Sequence, residues 1–223
     1  MPDSKFSSVQ ALIFDLDGTL IDSKLDLVNC VNTMLQQIGR VALPTDTVAS
    51  YIGHGAPKLI ASTLGPDSTE QERREALQIF LAHYEKHALD ETRPYPGVSE
   101  ALQALNGRAL AVLTNKPMAL TMQILKGLDL TKYFAKIYGG DSFEKKKPDP
   151  SGAQKILQEL NSPPQASIMV GDSDVDVQTA RNAGMLAAAV TFGFGQYDRA
   201  TNPADIYLQN MLELPPLLQN GAR

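Results

Sequence analysis

Acidic residues cluster twice in this 223-residue chain, as Asp15 and Asp17 in Asp-Leu-Asp-Gly-Thr and as Asp172, Asp174 and Asp176 further on. Between the clusters lie a Thr114-Asn115 pair and Lys147, a lysine followed by a proline. Two carboxylates brought to one place repel unless a cation joins them. Asp15 and Asp172 offer the hard oxygen ligands that Mg²⁺ prefers, few enough that water completes the octahedron. Lys147 and the Thr114 hydroxyl supply positive charge and a donor for an anion beside the metal. The Gly18 and Thr19 amides, at a turn with a permissive glycine, add backbone donors. Such surroundings suit a phosphate. Asp15 is then placed to attack phosphorus, and the aspartyl-phosphate it forms splits one hard displacement into two easier ones. Asp17, two residues on, protonates the leaving oxygen and then deprotonates the attacking water.

Each piece alone has an ordinary structural reading. Asp-Gly-Thr is a common turn, Thr and Asn serve as helix caps, and Lys145-Lys146-Lys147 reads as a solvated patch. Asp172 and Asp176 are four apart, which puts them on one side of a helix but also suits acids in a first helical turn. Lys147 is singled out from its run because Pro148 stiffens the chain beside it.

For the pieces to act together, the fold must bring them to one edge. Val9 to Phe14 is a short apolar run ending at Asp15, the pattern of a buried strand. Similar strands are predicted at Ala109 to Leu113, Ile137 to Tyr138, Ile168 to Val170 and Leu186 to Val190. Helical spacing links Met118, Met122, Ile124, Leu125 and Leu128, then Ile156, Leu157 and Leu160, then Val175 to Ala183 with a stop at Gly184. Strand and helix alternating in this way predicts an α/β fold, a Rossmann-like parallel sheet covered by helices on both faces. Ligands of such sheets bind beyond the carboxyl ends of the strands, where every one of these polar groups falls.

From Asp22 to Thr92 the alternation breaks. Leu27, Val31, Met34, Leu35 and Ile38 form a helical stripe that Gly39 closes; Leu59, Ile60 and Leu64 suggest another helix. Ser68 and Gln71 read as a capping box ahead of a charged helix. The stretch shows no convincing strand, so residues 22–92 read as an all-helical insertion into a core of residues 1–21 and 93–223, with Arg93 to Gly97 as a turn-forming return linker.

Composition narrows the rest. With 43% hydrophobic and 20% charged residues the chain is an ordinary globular one, and a net charge of −5 argues against nucleic acid as a partner. The least polar later stretch, Met185 to Gly195, is well short of the roughly 20 residues of a membrane helix, and no secretory segment precedes Asp15. One cysteine, Cys30, excludes an intrachain disulfide and suits a reducing compartment, so a cytoplasmic protein with no membrane partner is expected. His83 and His87 have the spacing of a zinc pair but lack the glutamate of His-Glu-x-x-His; a surface or packing role is expected. Cys30 reads as a buried structural thiol, Gly193-Phe194-Gly195 is not a dinucleotide fingerprint, and no serine-hydrolase elbow is present.

The four groups, in this order, resemble the motifs of the haloacid dehalogenase superfamily of aspartate-nucleophile phosphatases: Phe14 to Leu20, Leu113-Thr114-Asn115, Lys147-Pro148, and Gly171 to Asp176. The resemblance spans essentially the whole chain. It implies Asp15 as nucleophile and Asp17 as acid/base, with Thr114, Asn115 and Lys147 on the phosphoryl group. It further implies Mg²⁺ on Asp15, the Asp17 carbonyl and Asp172, with Asp176 in support, and makes the helical insertion a cap that closes over substrate. Dehalogenating relatives lack an acid at the Asp17 position, which favours phosphoryl chemistry. Asp17 to Ser23, Ile52-Gly53-His54-Gly55, Tyr138 to Ser142 and Lys147 to Pro150 resemble the phosphoglycolate phosphatase branch. The cap histidine usual in sugar-phosphate mutase relatives is not evident after Asp22. In the cap, His54 or Lys58 meets a substrate carboxylate, or the Gly53-His54-Gly55 loop is a plain turn.

The expected partner is thus a small anionic phosphorylated metabolite, 2-phosphoglycolate first, hydrolysed with Mg²⁺. Other readings stay open: a phosphatase for a sugar phosphate, nucleotide or pyrophosphate, a phosphomutase, or a noncatalytic phosphate-binding protein. A response-regulator receiver shares the aspartyl-phosphate but has no room for the helical insertion.

Overall fold

The computed structural model describes residues 5–219. Its strands are β1 (Ala11–Phe14), β2 (Ile21–Asp22), β3 (Arg93–Pro94), β4 (Ala109–Leu113), β5 (Lys136–Tyr138), β6 (Ser167–Gly171), β7 (Leu186–Val190) and β8 (Ile206–Leu208). Helices α1 (Lys24–Gln37), α2 (Thr45–Ala49), α3 (Ala56–Leu64) and α4 (Glu70–His87) lie between β2 and β3. The others are α5 (Val98–Ala104), α6 (Met118–Gly127), α7 (Ser151–Glu159), α8 (Asp174–Ala183) and α9 (Leu214–Gln219).

Six strands form one parallel sheet in the order β5-β4-β1-β6-β7-β8, with β1 in the middle. Alternate side chains of each strand face opposite ways, and the core divides accordingly. Leu12, Phe14, Val112, Ile168 and Val170 join one apolar cluster with residues of α5, α6 and α9. Ile13, Ala111, Leu113 and Met169 join another with Ala153 and Ile156 of α7 and Val177 and Ala180 of α8. The predicted α/β architecture is therefore present, and strand order reverses at β1, which places a crevice at its carboxyl end. Phe14 pairs with Val112 and Val170, so Asp15, Thr114 and Asp172 leave neighbouring strands within two residues of one level.

The helical stripe of α1 is buried as expected, Leu27, Val31, Met34 and Leu35 packing toward α4, and Gly39 follows it at φ +75°. This packing is continuous with the first sheet cluster. Where the sequence shows no strand, β2 and β3 pair antiparallel (Ile21 with Pro94, Asp22 with Arg93), so the chain entering the helical segment is stitched to the chain leaving it. Two residues per strand leave no periodicity to read. Asp26, 2% exposed, adds to the stitch: its carboxylate accepts the Glu91 and Thr92 amides and the Thr92 hydroxyl at 2.7–3.1 Å. The capping box of α4 is one residue later than predicted, Thr69 with Glu72. Ser68 instead donates to the Gly65 carbonyl and accepts from Arg73. The short helices α2, α5 and α9 and the edge strand β8 carry too few residues to announce themselves. No helix among the described residues is long and apolar enough to cross a membrane.

Candidate active site

Asp15 is the first residue beyond β1, and its amide donates to the Val170 carbonyl of β6 (2.9 Å). Its carboxylate is buried, with Oδ1 2.9 Å from the Lys147 ammonium and no hydrogen bond of good geometry to that oxygen. Lys147 Nζ also lies 2.6 Å from Asp176 Oδ1. Lys147 is buried, whereas Lys145 is exposed and Lys146 half-buried, so the lysine singled out from its run is the one that turns inward. The Lys147–Pro148 peptide is cis.

Asp172, just past β6, is buried too, and its Oδ2 accepts the Phe194 (3.1 Å) and Gly195 (2.7 Å) amides. Gly193-Phe194-Gly195, which is no dinucleotide loop, thus holds a carboxylate in place. Asp176 sits in the first turn of α8, its Oδ2 closing a capping box with Ser173 and its Oδ1 facing Lys147. Asp174 turns away and accepts the Asp198 amide.

Carboxylate oxygens of Asp15, Asp172 and Asp176 all lie within 4.8 Å of one another. The electrostatics of this buried trio are unbalanced, three acids against one ammonium. Burial pushes the Asp15 carboxyl up to about 6, with Asp176 adding and Lys147 opposing. Burial, then Asp176 and Asp15, hold Asp172 well above the usual carboxylate range. Burial alone would depress the Lys147 ammonium, but its two carboxylate neighbours outweigh that and push it up to about 12. Hard oxygen donors short of positive charge are what a divalent cation such as Mg²⁺ requires, so these residues fit that ion. The Asp17 carbonyl, the other expected ligand, takes no hydrogen bond from the turn that follows it.

That turn settles what Gly18 and Thr19 do. The Gly18 amide donates to the Ile21 carbonyl and the Thr19 amide to that of Leu16, so neither is spare for a phosphate, contrary to expectation. Gly18 is required for another reason. It has φ +80°, and a Cβ there would lie 2.0 Å from Asp172 Oδ2. The Thr19 hydroxyl is buried without a hydrogen-bond partner.

Thr114 and Asn115 follow β4. Thr114 is buried, and its hydroxyl accepts the Lys116 amide, leaving its own proton to donate. Asn115 departs from expectation. Its Nδ2 donates to the Gly53 (3.0 Å) and Lys147 (3.1 Å) carbonyls, and its Oδ1 accepts the Lys147 amide (3.0 Å). Both amide hydrogens are used, so this side chain fixes the Lys147 loop and has no donor left for a phosphoryl group.

The Asp17 carboxylate points away from the trio. Its Oδ1 accepts the Lys116 ammonium (2.7 Å) and the Ser23 hydroxyl (2.5 Å). Lys116 also donates to the Tyr84 hydroxyl of α4 (2.7 Å). Sequence reading missed Lys116, Tyr84 and Ser23; the available signal was that Lys116 directly continues Thr114-Asn115, while Tyr84 lies in a charged helix with nothing to mark it. Between these groups is a cavity of about 40 Å³, lined by Asp15, Asp17, Thr114 and Lys116 and walled by Leu27, Ile52, Leu59 and Phe80. His54 and Lys58 are exposed and do not line it; the Gly53 and Gly55 backbone does.

The other singled-out residues stay apart. His87 Nδ1 pairs with Asp90 (2.8 Å) beside the His83 ring, and the two histidines join no group of three ligands among the described residues. Cys30 is buried, and burial pushes its thiol up to about 12, so it is inert.

The chain is 36% identical over 221 residues to a phosphoglycolate phosphatase of Nitrosospira multiformis, covering 96% of this chain and 97% of that one. It is 40% identical over 206 residues to a phosphoglycolate phosphatase of Neisseria meningitidis, covering 87% and 88%. The fold superposes with a TM-score of 0.89 on a crystal structure described as a predicted phosphoglycolate phosphatase from Haemophilus somnus, at 28% identity over 95% of this chain and 99% of that one. Residues 12–190 match the family described as Haloacid dehalogenase-like hydrolase, and the chain belongs to that family.

Proposed function

We propose that the protein is a Mg²⁺-dependent phosphatase that hydrolyses a small phosphomonoester, 2-phosphoglycolate first among them, through an aspartyl-phosphate on Asp15. The observation that carries this reading is the convergence of Asp15, Lys147, Asp172 and Asp176 at the carboxyl end of β1. A bound divalent ion would sit among Asp15, Asp172 and the Asp17 carbonyl, with Asp176 in support, and would neutralise charge on the phosphoryl oxygens.

The chain's own groups do the rest. Lys147 and the Thr114 hydroxyl hold the phosphoryl group beside Asp15. The Asp15 carboxylate forms a bond to phosphorus as the ester P–O bond breaks. Asp17 gives its proton to the departing oxygen, then takes one from the water that attacks the phosphoenzyme, releasing phosphate and restoring both acids. Asn115 acts as a positioning residue by clamping the Lys147 backbone. Residues 22–92 form the cap and residues 1–21 with 93–223 the core. A cap of this kind admits substrate when open and sheds water when closed over it. The similarity to phosphoglycolate phosphatases in two bacteria at 36% and 40% identity supports the substrate choice. A buried lone cysteine fits the cytoplasm.

The test is phosphate release from a panel of phosphoglycolate, sugar phosphates, nucleotides and pyrophosphate, with Mg²⁺ and with chelator. Mg²⁺-dependent release that favours phosphoglycolate and disappears in Asp15→Asn is expected. Preference for a hexose phosphate would overturn the substrate, and full activity in Asp15→Asn would overturn the mechanism.

A further inference from the structure

Among the described residues, the cavity beside Asp15 is lined by a single cationic side chain, Lys116, whose side chain is only 4% exposed. Its ammonium spends one hydrogen on Asp17 and one on the Tyr84 hydroxyl, each at 2.7 Å, and lies 4.6 Å from the centre of the Tyr84 ring. An ammonium has three donors, so one remains. Lys147 does not line this cavity, and its ammonium is engaged by Asp15 and Asp176. Away from Asp15, Asp17, Thr114 and Asn115 the cavity wall is largely apolar, with Leu27, Ile52, Leu59 and Phe80. An anionic leaving group closed in there would be desolvated with no partner, at heavy cost, unless it met Lys116.

We propose that Lys116 is the specificity residue of this site, its free donor taking a carboxylate carried one carbon away from the ester oxygen, with Tyr84 of α4 holding the ammonium in place. This inference rests on the phosphatase reading above and names what selects the substrate. The geometry follows from Asp17. The acid that protonates the leaving oxygen is hydrogen-bonded to Lys116, so a carboxylate attached to the adjacent carbon falls within the ammonium's reach. A long neutral tail gains nothing from that cation and collides with the apolar wall. Because Tyr84 lies on α4, the recognition group is complete only when the helical segment is seated.

The experiment is equilibrium binding, in Mg²⁺, to an Asp15→Asn background that cannot form the phosphoenzyme. The two probes are 2-phosphoglycolate and 2-hydroxyethyl phosphate, equal in length but differing in the carboxylate. The Asp15→Asn protein should bind phosphoglycolate about ten- to a hundredfold tighter, as a charge-assisted hydrogen bond allows. Adding Lys116→Gln should bring the two within a few-fold, while Lys116→Arg should keep a preference. A preference that survives Lys116→Gln overturns the proposal. If Lys116 merely positions Asp17, the single Lys116→Gln variant slows turnover of both substrates alike and leaves their Kd ratio intact, which also overturns it. Should Lys116→Gln not fold, Tyr84→Phe keeps the ring packing and removes only the hydroxyl. It should raise KM for phosphoglycolate more than for hydroxyethyl phosphate, and equal effects refute the assignment. Failure of the phosphatase reading looks different: wild type then releases phosphate from neither probe.

Discussion

Replacing Asp15, the proposed nucleophile, should make the metal-free protein more stable. Asp15 is ionised at neutral pH inside a buried cluster that already holds Asp172 and Asp176. Its carboxyl rises from the ordinary 3.8 to about 6 in the folded state, a difference worth about 3 kcal/mol. The sign follows from linkage. Between those two values the native state binds more protons than the unfolded chain, so stability falls as pH rises from 3.8 to 6 and stays low above that. Asn mimics the protonated acid and escapes the loss, while Lys147 keeps Asp176 at 2.6 Å. Asp15→Asn should therefore unfold about 6–12 °C above wild type at pH 7.5 in chelator, taking about 2–4 °C per kcal/mol for a chain of this size. At pH 5 about half of that gap should remain, and at pH 4 little. Mg²⁺ at a hundredfold over its Kd should restore about 2.7 kcal/mol to wild type, closing the gap from below because the variant has lost a ligand. Thermal unfolding followed by circular dichroism at the three pH values, with and without Mg²⁺, reads all of this. Equal stability at pH 7.5 in chelator, or an advantage that grows toward pH 4, would refute the reasoning.

Lys147→Met strands Asp15 and Asp176 without their ammonium, so about 3–5 kcal/mol of stability is lost at neutral pH. With that attraction gone, the pH at which stability stops falling moves above 6 in a pH series of unfolding curves. Gly18→Ala forces a Cβ to within 2.0 Å of Asp172 Oδ2 at φ +80°. Asp172 must move, and Mg²⁺ should no longer raise the melting temperature or activate phosphate release. Asp26→Ala leaves the Glu91 and Thr92 amides and the Thr92 hydroxyl without their buried acceptor, which should cost about 3 kcal/mol in urea unfolding.

What the sequence reveals follows from period and position. β1, β4, β6 and β7 are legible because each is a largely apolar run ended by a polar group, and the buried stripe of α1 because its spacing matches a helix. At β1, β4 and β6 the polar groups that end the strands are the groups that meet, since parallel strands of similar length deliver their carboxyl ends to one rim; Thr191 after β7 bonds to Leu208 instead. What stays hidden is decided by tertiary direction. Nothing local says that the Asn115 amide turns to the Gly53 and Lys147 backbone, that Asp174 faces away while Asp176 faces in, or that the Gly18 and Thr19 amides close their own turn. The β2–β3 ribbon and β8 are too short for any period, and nothing in its charged helix marks Tyr84 until the Lys116 ammonium is found on its hydroxyl.

Three consecutive residues after β4 face three different tasks. Thr114 presents a hydroxyl beside Asp15, Asn115 ties the Lys147 loop to the Gly53 loop, and Lys116 ties Asp17 to α4. The second and third contacts both cross from the sheet edge to the helical segment, one through a carbonyl and one through a phenol. Movement of the helical segment would break the Asn115–Gly53 and Lys116–Tyr84 contacts, but neither the Asn115–Lys147 nor the Lys116–Asp17 bond. Under the proposed function, a seated helical segment would hold Tyr84 on the Lys116 ammonium that pairs with Asp17, which would couple exclusion of water to the surroundings of that acid. A lid that only covered the site would leave Asp17 indifferent to its position; here the carboxylate is one hydrogen-bonded residue removed from it.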